Sequence, residues 1–401
     1  MTTTRHGLCV RPTLALLAAV LLFTLPVAAA APKGGGGKKG APPPAAAAKK
    51  PEAPKPAAPP PAPAKQAEPP AKAPAPAAAP PAKKLPALAK GAVAPVKDGA
   101  TTIHPPFEEG DCSACHTGTD AQDPGPLKGD MKELCFECHE GHKEFLEKPS
   151  QHVPFNEGCT YCHNPHNSVA PALLRDTMDT LCLSCHDTVK NALATAVKHG
   201  PAVEGKKCLN CHAPHGGDFK PLLDKEQFDL CLGCHDKDDV KDRRGMVLTN
   251  IKQRLDANAE WHAPVGAKEC VTCHSPHGSP SFRMLANTFP ARFHEGYAKE
   301  KYGLCFDCHN DQLAANPTTD SDTEFRDGTR NLHYVHVNKK ELGRTCRACH
   351  DFHAVKGPSM ITDGVKFGRK GWVLKVQFEK NDDGGSCAKS CHSAKSYRRG
   401  K

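Results

Sequence analysis

Apolar positions concentrate at the start of the chain and thin out after it. Leu14 to Leu25 form an apolar run, preceded by Arg5 and Arg11 and trailed by Ala28, Ala29, Ala30 and Ala31. A charged stretch, a short apolar stretch and small residues, in that order, predict a cleaved export signal over residues 1–31. The run is shorter than the ~20 residues a bilayer span needs, and Pro26 stops it from extending. Residues 32–98 show no hydrophobic period. They are Pro, Ala, Lys and Gly, a composition that buries no core and predicts a disordered, extended linker. From residue 99 onward the pattern is fragmentary. Short helices are expected over 132–139 and 176–186, and the alternation over 365–379 suggests a C-terminal β-hairpin turning at 368–371. Little other regular structure is expected.

Composition sharpens this picture. With 15 Phe, 5 Tyr and 2 Trp in 401 residues, and much of the nominal hydrophobic fraction being Ala in the linker, a conventional core is under-supplied. Something other than apolar side chains must fill the interior. The net charge of +9 is carried by the leader (+2) and the linker (+9), which leaves −2 for residues 99–401. A nucleic-acid-binding domain is therefore not expected. The basic linker could act as a spacer or touch anionic cell-wall material.

The chain has 21 Cys and 23 His. Twenty of the cysteines form ten short pairs, each followed directly by His. Nine read C-x-x-C-H: Cys112, Cys115 and His116; Cys135, Cys138 and His139; Cys159, Cys162 and His163; Cys182, Cys185 and His186; Cys208, Cys211 and His212; Cys231, Cys234 and His235; Cys270, Cys273 and His274; Cys305, Cys308 and His309; Cys346, Cys349 and His350. The tenth, Cys387, Cys391 and His392, has three residues between the thiols. C-x-x-C-H is the attachment signal of c-type haem. Two thiols form thioethers to the two vinyl groups of one porphyrin, and the adjoining His lies under the iron. Zinc sites and disulfides also use paired cysteines, but neither requires His at one fixed offset ten times over. About ten covalent haems c are expected, one of them on the longer-spaced pair.

The remaining histidines follow a pattern too. His104, His152, His199, His262 and His336 each stand seven to ten residues before the first Cys of a pair. His142, His166, His215, His277 and His353 each stand three residues after a proximal His. These ten supply one second axial ligand per haem. A ligand three residues from a proximal His cannot easily reach the same iron, so it should cap a neighbour. His294 and His333 are left over, and His333 is an alternative to His336.

The pairs are themselves paired. Successive first pairs begin at Cys112, Cys159, Cys208, Cys270 and Cys346, and their partners come at offsets of 23, 23, 23, 35 and 41. The domain 99–401 thus reads as five tandem units, about 102–145, 150–190, 197–240, 260–312 and 332–395. Their template is His, C-x-x-C-H-x-P-H, a Leu pair, then L-C-x-x-C-H; it is fullest around Leu173-Leu174 and Leu222-Leu223. The first unit departs, with its H-x-x-H on the second pair. Over about 102–392 the chain resembles multihaem c-type cytochromes with doubled C-x-x-C-H motifs, akin to class III cytochrome c. The resemblance implies a mostly irregular, small-α fold wrapped around a haem chain. It further implies bis-His iron, export and electron transfer in anaerobic or metal-reducing respiration. The number of motifs is also similar to that of decahaem periplasmic cytochromes seated in outer-membrane porins.

The expected role is an exported electron carrier, periplasmic or outer-membrane-associated, and not an enzyme. Its partners would be redox proteins, with a porin or other cytochromes as further candidates. Two rival classes stand beside it. One is a multihaem reductase for nitrite, hydroxylamine or a sulfur oxyanion, which needs an open iron position. The other is a structural subunit of a cytochrome wire or porin complex.

Overall fold

The computed structural model describes residues 93–367, 372–387 and 391–400. All lie in the second of two compact units, Pro70–Lys401. The expected signal over 1–31 and most of the 32–98 linker fall outside the described residues.

The end of that linker departs from the expectation. Val96 donates its N–H to Asn167 Oδ1 at 2.7 Å and accepts from Asn167 Nδ2 at 3.0 Å, while Ala94 accepts from Asn164 Nδ2 at 3.2 Å. Asn164 and Asn167 are buried, so these bonds satisfy amides that would otherwise be orphaned. The bonded chain thus includes Ala94 and Val96, ahead of residue 99.

Regular elements are short, as a chain without sustained periodicity requires. The two expected helices occur at Met131–Cys138 and Met178–Leu183. Each has a side-chain cap: Asp130 accepts from the N–H groups of Lys132 and Glu133, and Thr177 from that of Thr180. The longest described α-helix, Gln227–His235, has nine residues. No helix among the described residues is long and apolar enough to cross a membrane.

Two-residue antiparallel strands join each unit to the next. Thr102–Ile103 pairs with Asn167–Ser168, Ser150–Gln151 with Gly216–Gly217, Val197–Lys198 with Gly278–Ser279, and Glu260–Trp261 with Ala354–Val355. At the C terminus Gly364–Phe367 pairs with Trp372–Lys375, Phe367 opposite Trp372. The expected turn at 368–371 lies outside the described residues. The hairpin is shorter than the 365–379 alternation suggested. A bond from Val376 N–H to Asp363 O closes it, and Phe378–Asn381 pairs instead with Gly384–Cys387, which pairs with Lys395–Arg398.

The apolar core is sparse. Among the described residues its one cluster, Tyr302, Ala314 and Val337 with Phe289, Tyr297, Phe306 and Leu313 around it, sits in the last two units. The first three units bury only isolated apolar residues such as Phe136, Phe155 and Leu223.

Candidate haem sites

The first pair of each unit sits on a single tight turn: Cys112–Ala114, Cys159–Tyr161, Lys207–Asn210, Cys270–Thr272 and Cys346–Ala348. The His N–H bonds back to the first Cys carbonyl each time, at 2.9 Å for His116 and 3.0 Å for His163. Positions i, i+3 and i+4 of such a turn share one face. Both sulfurs and the imidazole therefore point to one side, as one porphyrin edge and its iron require. The second pairs use helix ends for the same purpose, as in Met131–Cys138 and Gln227–His235.

A reversal of the chain then fixes the imidazole. His116, His163, His212, His274 and His350 bridge to Leu127, Leu174, Leu223, Leu285 and Ile361, each eleven residues on. Two residues before that bridge, a carbonyl accepts from the ring Nδ1–H: Gly125 at 2.7 Å, Ala172 at 2.8 Å, and Pro221, Arg283 and Ser359 at 3.1 Å. Nδ1 is thereby spent and Nε2 is left with its lone pair. The Leu pair of the template is the base of this clamp. The turn needs left-handed backbone, with φ of +73° at Gly125 but +53° at Ala172 and +57° at Arg283, a strain of about 1–2 kcal/mol at each non-glycine position.

Every one of the ten proximal histidines faces a second histidine across a gap. Ring centroids lie 6.3 Å apart for His116 and His166, 6.1 Å for His139 and His104, 6.0 Å for His163 and His215, and 6.2 Å for His186 and His152. They lie 6.1 Å apart for His212 and His277, 6.3 Å for His235 and His199, 6.3 Å for His274 and His353, and 6.2 Å for His309 and His262. His350 and His333 are 6.4 Å apart, and His392 and His336 6.5 Å. Two metal–nitrogen bonds of about 2 Å, plus about 1.1 Å from each nitrogen to its ring centre, would set two imidazoles on opposite sides of one metal about 6.2 Å apart. The gaps are too wide for ring-on-ring contact and fit one metal ion. Among the described residues no three His, Cys, Asp or Glu side chains converge on a common cation site.

The distal partners obey a rule. His104, His152, His199 and His262 each face the second proximal His of their own unit. His166, His215, His277 and His353 each face the first proximal His of the preceding unit. The inter-unit strands hold these two sets side by side, one strand ending just before the first His and its partner starting just after the second. His104 N–H bonds to His166 O at 2.9 Å, and His262 N–H to His353 O at 3.2 Å. Each of the first set then caps a short helix with Pro in its first two positions. The carbonyls of Pro165, Pro214 and Pro276 accept from the rings of His104, His152 and His199. The Pro of H-x-P-H thus orients a ligand of the unit before it.

Two expectations change. His142 does not face a proximal His across such a gap; it stands edge-on to His139 at 5.7 Å and to His215 at 5.2 Å. His333, left over by spacing alone, takes the place opposite His350, while His336 faces His392. Both lie on the helix Leu332–Val337, His333 bonded to Thr323 Oγ1 at 2.9 Å and His336 to Leu332 O at 2.7 Å. The signal for His333 was in the sequence. The H-x-P-H histidines face backward, to the preceding unit; none follows Cys387 in this sequence, and the fifth unit has His333 ahead of its own first pair, while His116 is followed by Thr117 and Gly118 rather than x-P-H. His294 packs on Phe293 and Phe367, at 4.7 and 5.9 Å, rather than opposite a proximal His.

Burial favours the neutral form of several of these imidazoles. Desolvation, then the facing imidazole, lowers His262 and His277, and burial and His163 hold His215 down to about 4. His333 is likewise held to about 4 by burial and by His350.

The attachment sites touch in sequence order. The thiol of Cys115 neighbours Cys138, Cys135 meets Cys159, Cys162 neighbours Cys185, Cys182 meets Cys208, and Cys211 neighbours Cys234. Cys231 meets Cys270, Cys273 neighbours Cys305, Cys305 meets Cys346, and Cys349 neighbours Cys391. Consecutive porphyrin edges would therefore adjoin from the first site to the tenth.

Four segments, residues 104–144, 152–191, 199–240 and 262–314, match the family model of the doubled CXXCH motif. The chain is a multihaem c-type cytochrome built on that motif, which holds haem c covalently. The fifth unit, with its wider offset and its three-residue spacing at Cys387, lies beyond the matched segments. No curated protein matches the chain.

Proposed function

We propose that the protein is an exported decahaem electron carrier in which ten bis-His haems conduct along the domain. The observation that carries this reading is the set of ten opposed histidine pairs, 6.0–6.5 Å apart, on attachment sites that adjoin in order. Each iron would hold two neutral imidazoles and stay six-coordinate in both oxidation states, so reduction needs little rearrangement. Axial ligation, burial and hydrogen bonds such as that from His116 to Gly125 set the individual potentials. The leader and the short apolar run support export. Haem propionates on a domain of charge −2 make the holoprotein acidic, which favours basic redox partners and complexes that weaken with salt. A porin or a second cytochrome fits the same description, and the net charge of +9 on the linker suits contact with anionic cell-wall material.

The test is an EPR spectrum of the oxidised holoprotein, integrated against total haem, with the intact mass giving haem number. Ten haems, all low-spin, are expected. A reproducible high-spin fraction near one haem in ten would replace this reading with the reductase, because substrate needs an open iron position. Coupling between adjoining haems can suppress signal, so total intensity must be accounted for. His277→Ala should leave the haem number unchanged and convert one haem to high-spin.

A further inference from the structure

His142 is a histidine that the ligand rule does not use, yet it is not at a neutral place. Its ring lies 5.2 Å from that of His215, on the distal side of the site formed by Cys159, Cys162 and His163. The segment that carries it, Glu140–Glu147, packs directly on the strand that begins after His215. At Gly216 there is no room for a side chain, since a Cβ would come within 2.8 Å of Phe145 O. Phe145 touches both rings, at 5.8 Å from His142 and 5.6 Å from His215. The site itself is unlike its neighbours. His163 and His215 are inclined by 39°, whereas the pairs at the adjoining sites, His139 with His104 and His186 with His152, are inclined by 17° and 18°; His392 with His336, at the tenth site, is inclined by 38°.

We propose that His142 is a second distal ligand for the His163 site, able to take the iron when His215 leaves it; this rests on the axial-ligand reading given above. In the exchange the iron–nitrogen bond to His215 breaks and one to His142 forms. Each donor binds through an imidazole nitrogen lone pair, so one iron–nitrogen bond replaces another and no electron moves. The third haem would then remain six-coordinate when His215 leaves. Its two coordination states would differ in which ring holds the iron and in that ring's orientation, which gives one position in the chain two reduction potentials.

Three variants of the holoprotein decide it, read by EPR spin counting and by carbon monoxide binding to the reduced form. His277→Ala is the reference and should give one high-spin, carbon monoxide-binding haem per chain. His215→Ala should give none. His142→Ala combined with His215→Ala should give one. A high-spin haem in His215→Ala alone overturns the proposal, as does a double variant that stays wholly low-spin. A low-spin His277→Ala would instead overturn the ligand assignment beneath it, and the proposal with it. If His215→Ala does not retain its full haem complement, His215→Gln, closer in size and polarity, puts the same question.

Discussion

Removing His333 tests the ligand assignment where sequence spacing and structure diverge most. His333 faces His350 at 6.4 Å with the rings within 19° of parallel, and its Nδ1 is paired with Thr323 Oγ1 at 2.9 Å. In His333→Ala the iron over His350 loses the imidazole that faces it. The nearest histidine is already committed. His336 is bonded to Leu332 O and faces His392, and Phe325 stands against both rings at 5.2 and 5.6 Å. One haem in ten should therefore become high-spin, with the low-spin signal falling to nine tenths. The lost Thr323 bond costs about 1 kcal/mol, small enough for the fold to survive. The assay is EPR of the oxidised protein, integrated against haem from an alkaline pyridine spectrum. Carbon monoxide should bind one equivalent in the reduced variant and none in the parent. His294→Ala is the matched control and should change neither quantity, because His294 touches Phe293 and Phe367 rather than a proximal His. A fully low-spin His333→Ala, or a high-spin haem in His294→Ala, would refute the assignment.

Asn331, fully buried, caps the helix that carries His333 and His336, accepting from Tyr334 N–H and donating to Leu313 O at 2.9 Å and Asn316 O at 2.8 Å. Asn331→Ala should cost about 2–4 kcal/mol from the lost cap and two orphaned carbonyls, and should raise carbon monoxide binding at two haems together. Gly125→Ala places a Cβ at φ +73° and 2.7 Å from Thr117 Oγ1, a hydroxyl that can rotate away. The protein should fold with a stability loss of about 1–2 kcal/mol in a thermal melt, since non-glycine residues hold this position in other units. Asn167→Ala removes both side-chain bonds to Val96, so amide exchange at Val96 should accelerate while the haem spectrum stays unchanged.

The cysteines and proximal histidines were legible because their spacing is set by a covalent product and one turn of backbone. The five histidines that precede a pair were legible by position. The rest depended on partners far away in sequence. His142 and His166 stand at the same offset from a proximal His. What separates them is that His166 runs into the strand Asn167–Ser168, which pairs with Thr102–Ile103, while His142 lies in the turn segment Glu140–Glu147. The local marks are slight: Pro165 precedes His166 where Gly141 precedes His142, and His142 follows the second pair of its unit rather than the first. The apolar shortfall was readable from composition, and so was the sparse regular structure. The anchoring of Ala94 and Val96 was not, because it depends on two asparagines some 70 residues away finding otherwise featureless backbone.

The direction of capping makes this a repeat array with unlike ends. In a linear array each repeat is completed by its neighbour, and the terminal repeats must be modified to close it. Here the missing part is a metal ligand rather than an apolar face. Each interior unit lends an imidazole backward, through H-x-P-H, and receives one from the unit ahead. The first unit has no unit behind it to complete, and His116 is succeeded by Thr117 and Gly118 instead of a lending histidine. The last unit receives nothing, and the segment ahead of Cys346 supplies His333 on a helix capped by Asn331. That helix packs into the apolar cluster through Val337. The core thus lies where a ligand has to be held without help from a following unit. In the first three units, whose facing histidines are held by paired strands, almost no core is present, and on the reading proposed above haem and its cross-unit ligands would fill that space.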